Sequence, residues 1–420
     1  MKVYFCTFGC KLNQAETQIL EKKFSQQGWE KTKNFSEAKI CLINSCVVTQ
    51  KAAKEVRQKI HQIFEKNPSC FLIVAGCFTP EMKEKEKEKV NLWVKNKEKD
   101  NLDQKLALIF KIAPKNNLPP EHFPTRALIK IQSGCLNYCS YCIVPWMRNE
   151  LISRPQKDIL EEIIEKEKQG FKEVVLVGTN IGFYSCPQNK VDLTGLLKNI
   201  LEQTDNLRIR LSSLWPTQIK KDLISLIKKD PRLCHHLHLS IQSASSKVLK
   251  KMNRNYQAPD LKKIIKSLKK IKDLNLTADF IVGFPGETKK DFKKTKDFVK
   301  KGEFLKIHVF RFSARPQTKA ALMKEIVAEK EKHKRSQELI LLGEEVSRKR
   351  KEFFLNKKEL VLLEQKKGEY WQGFTSNYLK IFIPEKDLFK VESQNDLRNK
   401  IKKVKLTEIF SGGIKGELIK

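Results

Sequence analysis

At 420 residues and 40% hydrophobic content, the chain is too long for one core and apolar enough to build two or three. Its formal charge of +34, from 83 Lys and Arg against 49 Asp and Glu, raises the local concentration of polyanions and points to nucleic acid as the natural partner. No apolar run reaches bilayer-spanning length, and residues 1–6 read as a strand rather than a secretory leader. A membrane partner is therefore not expected, and the expected location is cytoplasmic. Eleven cysteines in such a chain indicate metal or redox use rather than a disulfide framework. Of the basic residues 69 are Lys. Arg, the residue that grips phosphate bidentately, is concentrated at Arg148 and Arg154, Arg208 and Arg210, Arg311 and Arg315, and residues 335–350.

The first elements alternate short apolar runs with helical periods, the pattern of an open parallel α/β sheet. Strands are expected at residues 3–8, 39–44 and 71–75, and helices at 16–27 and 51–64. Each strand runs into a cysteine-bearing loop, at Cys10, Cys46 and Cys77. Loops beyond the carboxyl ends of parallel strands gather on one sheet edge, so these three distant thiols are expected to converge there and hold a metal cluster. Cys6, Cys41 and Cys70 fall in or beside strands and are expected to pack as small hydrophobes. Residues 83–89 read as a solvated helix face.

A Lys/Asn/Pro-rich stretch at 111–124 closes this domain. Beyond it six strand-helix units are expected, with strands at 127–132, 173–177, 207–211, 236–241, 279–282 and 307–310. Helices are expected at 157–168, 193–202, 218–229, 259–272 and 289–301. Six such units fit a partial TIM-type barrel whose site lies at the carboxyl ends of its strands. A helical connector spans 322–354, with Leu339, Leu341, Leu342 and Val346 as its apolar stripe and a basic tail, 347–351, available to phosphate. Apolar runs at 360–363, 379–383 and 404–409 between Gly turns suit a small β-barrel. The domains are thus 1–120, 121–354 and 355–420.

The chemistry concentrates at Cys135, Cys139 and Cys142, a C-x3-C-x2-C triplet just after the first barrel strand. Three thiolates can hold three irons of a cubane cluster and leave the fourth iron open. A structural zinc site needs four closed ligands, and the next histidine is His235. An open iron can chelate S-adenosylmethionine, and electron transfer into its sulfonium yields an adenosyl radical. Tyr141 sits where a ring could pack near the adenine. Gly178, Thr179 and Asn180 follow the second barrel strand, Ser212 and Ser213 the third, and Gln242 and Ser243 the fourth; polar strand ends suit a polar cofactor. Ser245 and Thr288 read as helix caps, His235, His236 and His238 as packed histidines, and Asp279 either as a cofactor contact or as the partner of a nearby base.

The triplet, with its aromatic residue before the last Cys, resembles the radical S-adenosylmethionine superfamily. Thr7 to Gln14, Asn44 to Thr49, Ala75 to Phe78 and Asp279 to Thr288 resemble blocks of the methylthiotransferases, and Gly373 to Tyr378 looks like their C-terminal TRAM module. The resemblance covers nearly the whole chain. It implies two [4Fe-4S] clusters, one on Cys135, Cys139 and Cys142 and an auxiliary one on Cys10, Cys46 and Cys77, with S-adenosylmethionine supplying both methyl group and radical. It further implies a tRNA anticodon stem-loop as substrate, an external electron donor and a sulfur source, and a monomer is expected. Cys10 to Gln14, Cys46 to Gln58 and His308 to Pro316 most resemble the type that converts N6-threonylcarbamoyladenosine at position 37, immediately 3′ of the anticodon, to its 2-methylthio form. The alternatives are the isopentenyladenosine type, a ribosomal-protein aspartate as substrate, and a non-catalytic Fe-S or zinc protein that binds RNA. The chain departs from the family pattern at Asn149 and Glu150 after Arg148, at Ser240, at Ala244 and at Gln317.

Overall fold

Each apolar run of the N-terminal third forms a strand, and each helical period packs back over it. The computed structural model describes residues 1–112, 125–388 and 396–419. The chain divides into two units, one made of residues 1–122, 133–152 and 313–322 and the other of residues 123–132, 153–312 and 323–420. Most of the expected linker at 111–124, and with it the expected boundary at 120, lies outside the described residues.

In the first unit β1 (Lys2–Thr7), α1 (Lys11–Gln26), β2 (Glu30–Thr32), β3 (Ile40–Ser45), α2 (Gln50–Lys66), β4 (Phe71–Gly76), α3 (Pro80–Lys85), β5 (Leu92–Lys95) and α4 (Leu102–Phe110) follow in order. The sheet is parallel throughout, in the order β2-β1-β3-β4-β5. Every residue of central β3 is buried, which is why it reads as an unbroken apolar run rather than an alternating one. Ile40 and Leu42 pack with Leu20 and Phe24 of α1 and Leu106 of α4. Cys41 and Ile43 pack on the opposite face against Val56, Ile60 and Ile63 of α2. Cys41 and Cys70 are core residues and Cys6 packs partly buried against the same cluster, as their positions in or beside strands require. The expected helix face at 83–89 is corrected: α3 stops at Lys85, and Glu86 turns inward to meet His61 Nε2 at 2.8 Å and Lys89. Helix α5 (Val144–Met147) also belongs to this unit.

The second unit opens with β6 (Ala127–Lys130); β7 (Gln132–Ser133) and β8 (Ile152–Ser153) are two-residue strands flanking the cysteine loop. There follow α6 (Gln156–Lys168), β9 (Glu173–Val177), α7 (Leu193–Gln203), β10 (Arg208–Leu211), β11 (Ser213–Leu214), α8 (Lys221–Lys229), β12 (His236–Gln242), α9 (Ser246–Lys251), α10 (Ala258–Leu268), β13 (Asn275–Val282), α11 (Lys289–Gly302), β14 (Lys306–Arg311) and α12 (Glu329–Glu352). Its parallel strands form a partial TIM-type barrel in two sheets, β10-β9-β6 and β11-β12-β13-β14. The third strand passes between them. Before Ser212 it pairs with β9, after Ser212 with β12. Helix α8 begins three residues later than its periodicity implies, because Pro216–Gln218 closes a 3-10 turn first. Helix α10 ends at Leu268, and α12 starts only at Glu329. The stripe of α12 also needs correction. Leu339 and Val346 are buried, but Leu341 is 65% exposed, since two residues turn a helix by about 200°.

The chain ends in a closed barrel, β15-β16-β17-β19-β18, built from β15 (Lys358–Lys367), β16 (Tyr370–Thr375), β17 (Lys380–Pro384), β18 (Ile401–Phe410) and β19 (Gly413–Leu418), with α13 (Glu385–Leu388) as a single turn. Val361, Leu363, Ile381, Val404 and Ile414 point into its core. Among the described residues no helix is long and apolar enough to cross a membrane.

Candidate active site

Adjacent strands β1, β3 and β4 deliver Cys10, Cys46 and Cys77 to one sheet edge, the first through a Gly9 turn and the others directly. Gly9 has φ of +98°, and a Cβ there would lie 2.6 Å from Cys46 Cβ and 2.8 Å from its Sγ. The backbone can therefore wrap the Cys46 thiol only as glycine. Cys46 and Cys77 are buried and Cys10 is exposed at the N-cap of α1. Burial, with Cys77 and Cys10 close by, pushes the Cys46 thiol up to about 11 against the pull of Arg148. Asn96 Nδ2 donates to Cys77 Sγ at 3.4 Å and to the Met147 carbonyl at 3.2 Å.

Beneath this edge lies a buried polar network that is not apparent in the sequence. Glu16 of α1 accepts from both Arg148 terminal nitrogens, at 2.6 and 2.8 Å, and from Lys99 Nζ at 2.8 Å. Arg148 also donates to Ser133 Oγ and Asn13 Oδ1, and Lys99 to Asn44 Oδ1. Asn13 in turn holds the Phe8 and Ser45 carbonyls, so the network ties the β1 and β3 loops together. All three charged side chains are at most 5% exposed. Burial opposes the charge of Arg148, but the hydrogen bonds and charge of Glu16 hold it above the ordinary guanidinium range. Lys99 falls below the lysine range because burial outweighs the attraction of Glu16. No local signal exposes this set: Glu16 lies 83 residues from Lys99 and 132 from Arg148.

The triplet belongs to the same unit. Cys139 is buried, while Cys135 and Cys142 are partly accessible. The Cys135 amide donates to the Arg148 carbonyl, the Cys142 amide to Cys139, and the Ala320 amide to the Ser140 carbonyl. Tyr141 is partly buried. Gly134 has φ of +83° and its missing side chain leaves room for the Glu150 carbonyl. Among the described residues no three His, Cys, Asp or Glu side chains stand close enough to share one ion. A cubane asks for a wider set, because each thiolate binds a different iron. Six thiols in two groups of three, on loops shaped by glycine, have the donor chemistry that such clusters take.

In the second unit the expected strand ends present unsatisfied polar atoms. Asn180 is 2% exposed, and neither its Oδ1 nor its Nδ2 has a partner; Ser212 Oγ is likewise buried and unpaired. Such groups are rare in native proteins and call for a partner such as water, an ion or a ligand, and the residues here have the chemistry to fit a polar cofactor. Gln242 is buried with φ of +68°, and Thr179 and Ser213 are partly buried. The absent side chain of Gly178 makes room for the Gln132 carbonyl and Ile181. The two expected caps divide. Thr288 Oγ1 accepts from the Asp291 amide in a capping box, but Ser245 caps nothing with its side chain and donates to Asp291 Oδ1 at 2.7 Å. Asp279 meets His238 Nε2 at 3.0 Å, and His236 and His238 both bond Thr277.

Residues 129–299 match the family model described as the radical SAM superfamily, and residues 2–95 match an uncharacterized protein family, UPF0004. The chain is 31% identical over 428 residues to a Bacillus subtilis protein named threonylcarbamoyladenosine tRNA methylthiotransferase MtaB, covering 96% of this chain and 93% of the relative. It belongs to the radical S-adenosylmethionine methylthiotransferase family. An Endomicrobium trichonymphae member named tRNA-2-methylthio-N(6)-dimethylallyladenosine synthase is 32% identical, over 96% of this chain and 98% of that protein. The family typically works with S-adenosylmethionine and iron-sulfur clusters, and this chain is an S-adenosylmethionine-dependent transferase. A solved radical S-adenosylmethionine methyltransferase from Kitasatospora setae shares the fold, with a TM-score of 0.56 at 13% identity over 76% of each chain.

Proposed function

We propose that this methylthiotransferase acts on N6-threonylcarbamoyladenosine in the tRNA anticodon loop, at position 37. The observation that carries the reading is the inner face of β12, β13 and β14. Ile307 packs toward Gly343 of α12, so His308, one residue along the strand, faces the other way. That face also bears the His238–Asp279 pair, at 18% and 22% side-chain exposure, and the rings of His238 and His308 stand 5.7 Å apart. A floor of imidazoles beside a carboxylate offers hydrogen-bond partners to a substituent with a hydroxyl and a urea, partners that a dimethylallyl group could not use. Burial lowers the His308 pKa, with Asp279 opposing.

In this reading Cys135, Cys139 and Cys142 hold the cluster that meets S-adenosylmethionine, and Cys10, Cys46 and Cys77 hold the auxiliary one. When bound, these groups supply radical C–H activation and sulfur insertion. Asn180, Ser212, Ser213, Gln242 and the 178–179 turn orient the cofactor, and Tyr141 packs near its adenine. The domains are then a methylthiotransferase domain at 1–120, a radical core with its connecting helix at 121–354, and an RNA-binding TRAM-like barrel at 355–420, working in the cytoplasm with an external electron donor and sulfur source.

The test is anaerobic reconstitution followed by incubation with two transcripts that differ only in carrying threonylcarbamoyl- or isopentenyl-adenosine. Nucleoside mass spectrometry should find the 2-methylthio product on the first alone. Product on the isopentenyl transcript alone would overturn the substrate reading.

A further inference from the structure

The polar network under the auxiliary thiols is not electrically balanced. Arg148 and Lys99 bring two buried cations, and Glu16 brings one buried carboxylate. Arg148 donates to Asn13 Oδ1, and Asn13 holds the Ser45 carbonyl next to Cys46; Lys99 Nζ lies 3.3 Å from where a Cβ on Gly76, the residue before Cys77, would stand. A buried surplus charge is unfavourable unless an opposite charge meets it. Three thiolates around an oxidised cubane carry one net negative charge, and reduction adds a second.

We propose that Glu16, Lys99 and Arg148 form the fixed counter-charge of the auxiliary site, a surplus cation that favours the reduced, more anionic state of the cluster bound there. The proposal rests on the assignment of Cys10, Cys46 and Cys77 to that cluster. These are positioning residues: they touch neither substrate nor cofactor, and they act through the field they set at the thiolates. Because Arg148 also accepts the Cys135 amide through its carbonyl, the residue that supplies the field at one cysteine group is fastened by its backbone to the other.

The experiment uses the full chain with Cys135, Cys139 and Cys142 all changed to Ala, reconstituted anaerobically so that only the auxiliary cluster remains. One-electron reduction by dithionite is followed by electron paramagnetic resonance. Lys99→Met should shift the equilibrium about tenfold toward the oxidised state, ~59 mV lower in midpoint. Glu16→Gln, which enlarges the surplus, should shift it in the opposite direction, and Lys99→Arg should remain near the parent. Exposed Lys105 changed to Met is the control for charge alone. A variant that stays folded by circular dichroism yet cannot be loaded with iron supports the proposal if Lys99→Arg loads normally. Shifts of the same sign in Lys99→Met and Glu16→Gln, or none in either, would overturn it. If the triple-Ala parent itself binds no iron, the assignment of the auxiliary site fails instead.

Discussion

Single residues separate the two halves of the proposed chemistry. Cys139→Ala should abolish reductive cleavage of S-adenosylmethionine, read as loss of 5′-deoxyadenosine, because the buried member of the triplet is gone. Cys46→Ala should preserve that cleavage but yield no methylthio product. Asn180 offers a binding test that needs no turnover. Its amide atoms have no protein partner, so Asn180→Leu should weaken S-adenosylmethionine binding about tenfold, roughly 1.4 kcal/mol, by equilibrium dialysis. An unchanged dissociation constant would mean that the amide serves something else. The cysteines were legible in the sequence because thiols at strand ends are rare and their spacing is local. Glu16 and Lys99 were not, since each reads as an ordinary charged helix or loop residue until the fold brings them together. The arginines were legible only as a count. Arg148, Arg210 and Arg335, taken from the sequence as candidate phosphate readers, are buried in ion pairs with Glu16, Glu173 and Glu287, and Arg350 is bound to Asn275 and the Leu274 carbonyl.

Among elements, the pair of β9 and β10 is fixed by a buried ion pair that should show in the acid stability of the protein. Glu173 accepts from Arg210 at 2.6 and 3.0 Å. Burial pushes its carboxyl upward most strongly, yet the charge and hydrogen bonds of Arg210, with Arg126 behind, hold it below the usual range. A carboxyl depressed in the folded state contributes stability above its unfolded pKa, and that contribution is lost as pH falls through the folded value. The thermal unfolding temperature should therefore decline from about pH 4 downward, and Glu173→Gln should flatten that decline while costing about 3–5 kcal/mol at neutral pH. Strands with continuous apolar runs were readable in advance. Strands β2 and β5 were not: β2 is three residues on an exposed edge, and β5 has only three apolar residues before Lys95. Helix ends moved where a 3-10 turn or a cap intervened, as before α8 and after Leu268, since periodicity locates a helix face better than its ends.

The whole molecule carries its charge mainly on lysine, with the arginines largely committed to internal pairs. Lysine acts as a mobile point charge rather than a shaped fork, so its contribution to RNA binding should be electrostatic and salt-dependent. Raising salt from 50 to 200 mM should lower tRNA affinity by on the order of 10³-fold, if about six phosphates are neutralised. A filter-binding titration with a log-log slope near zero would show that lysine charge does not drive association. Three successive architectures were legible from the order of strand and helix patterns, because that order sets the layers each part can build. The way they are fastened was not.

Arg210 illustrates the fastening. Besides Glu173, its guanidinium donates to the carbonyls of Ser376 and Thr375 in the C-terminal barrel and lies 4.9 Å from the Tyr378 ring. The barrel looks like a cassette in the sequence, appended after a helix and ready to be trimmed or exchanged. A chain cut after α12 would instead leave a core-strand guanidinium facing missing acceptors, so the graft of another module would have to bring two carbonyls to the same place. Modular in sequence, the terminal domain is a structural part of the catalytic strands.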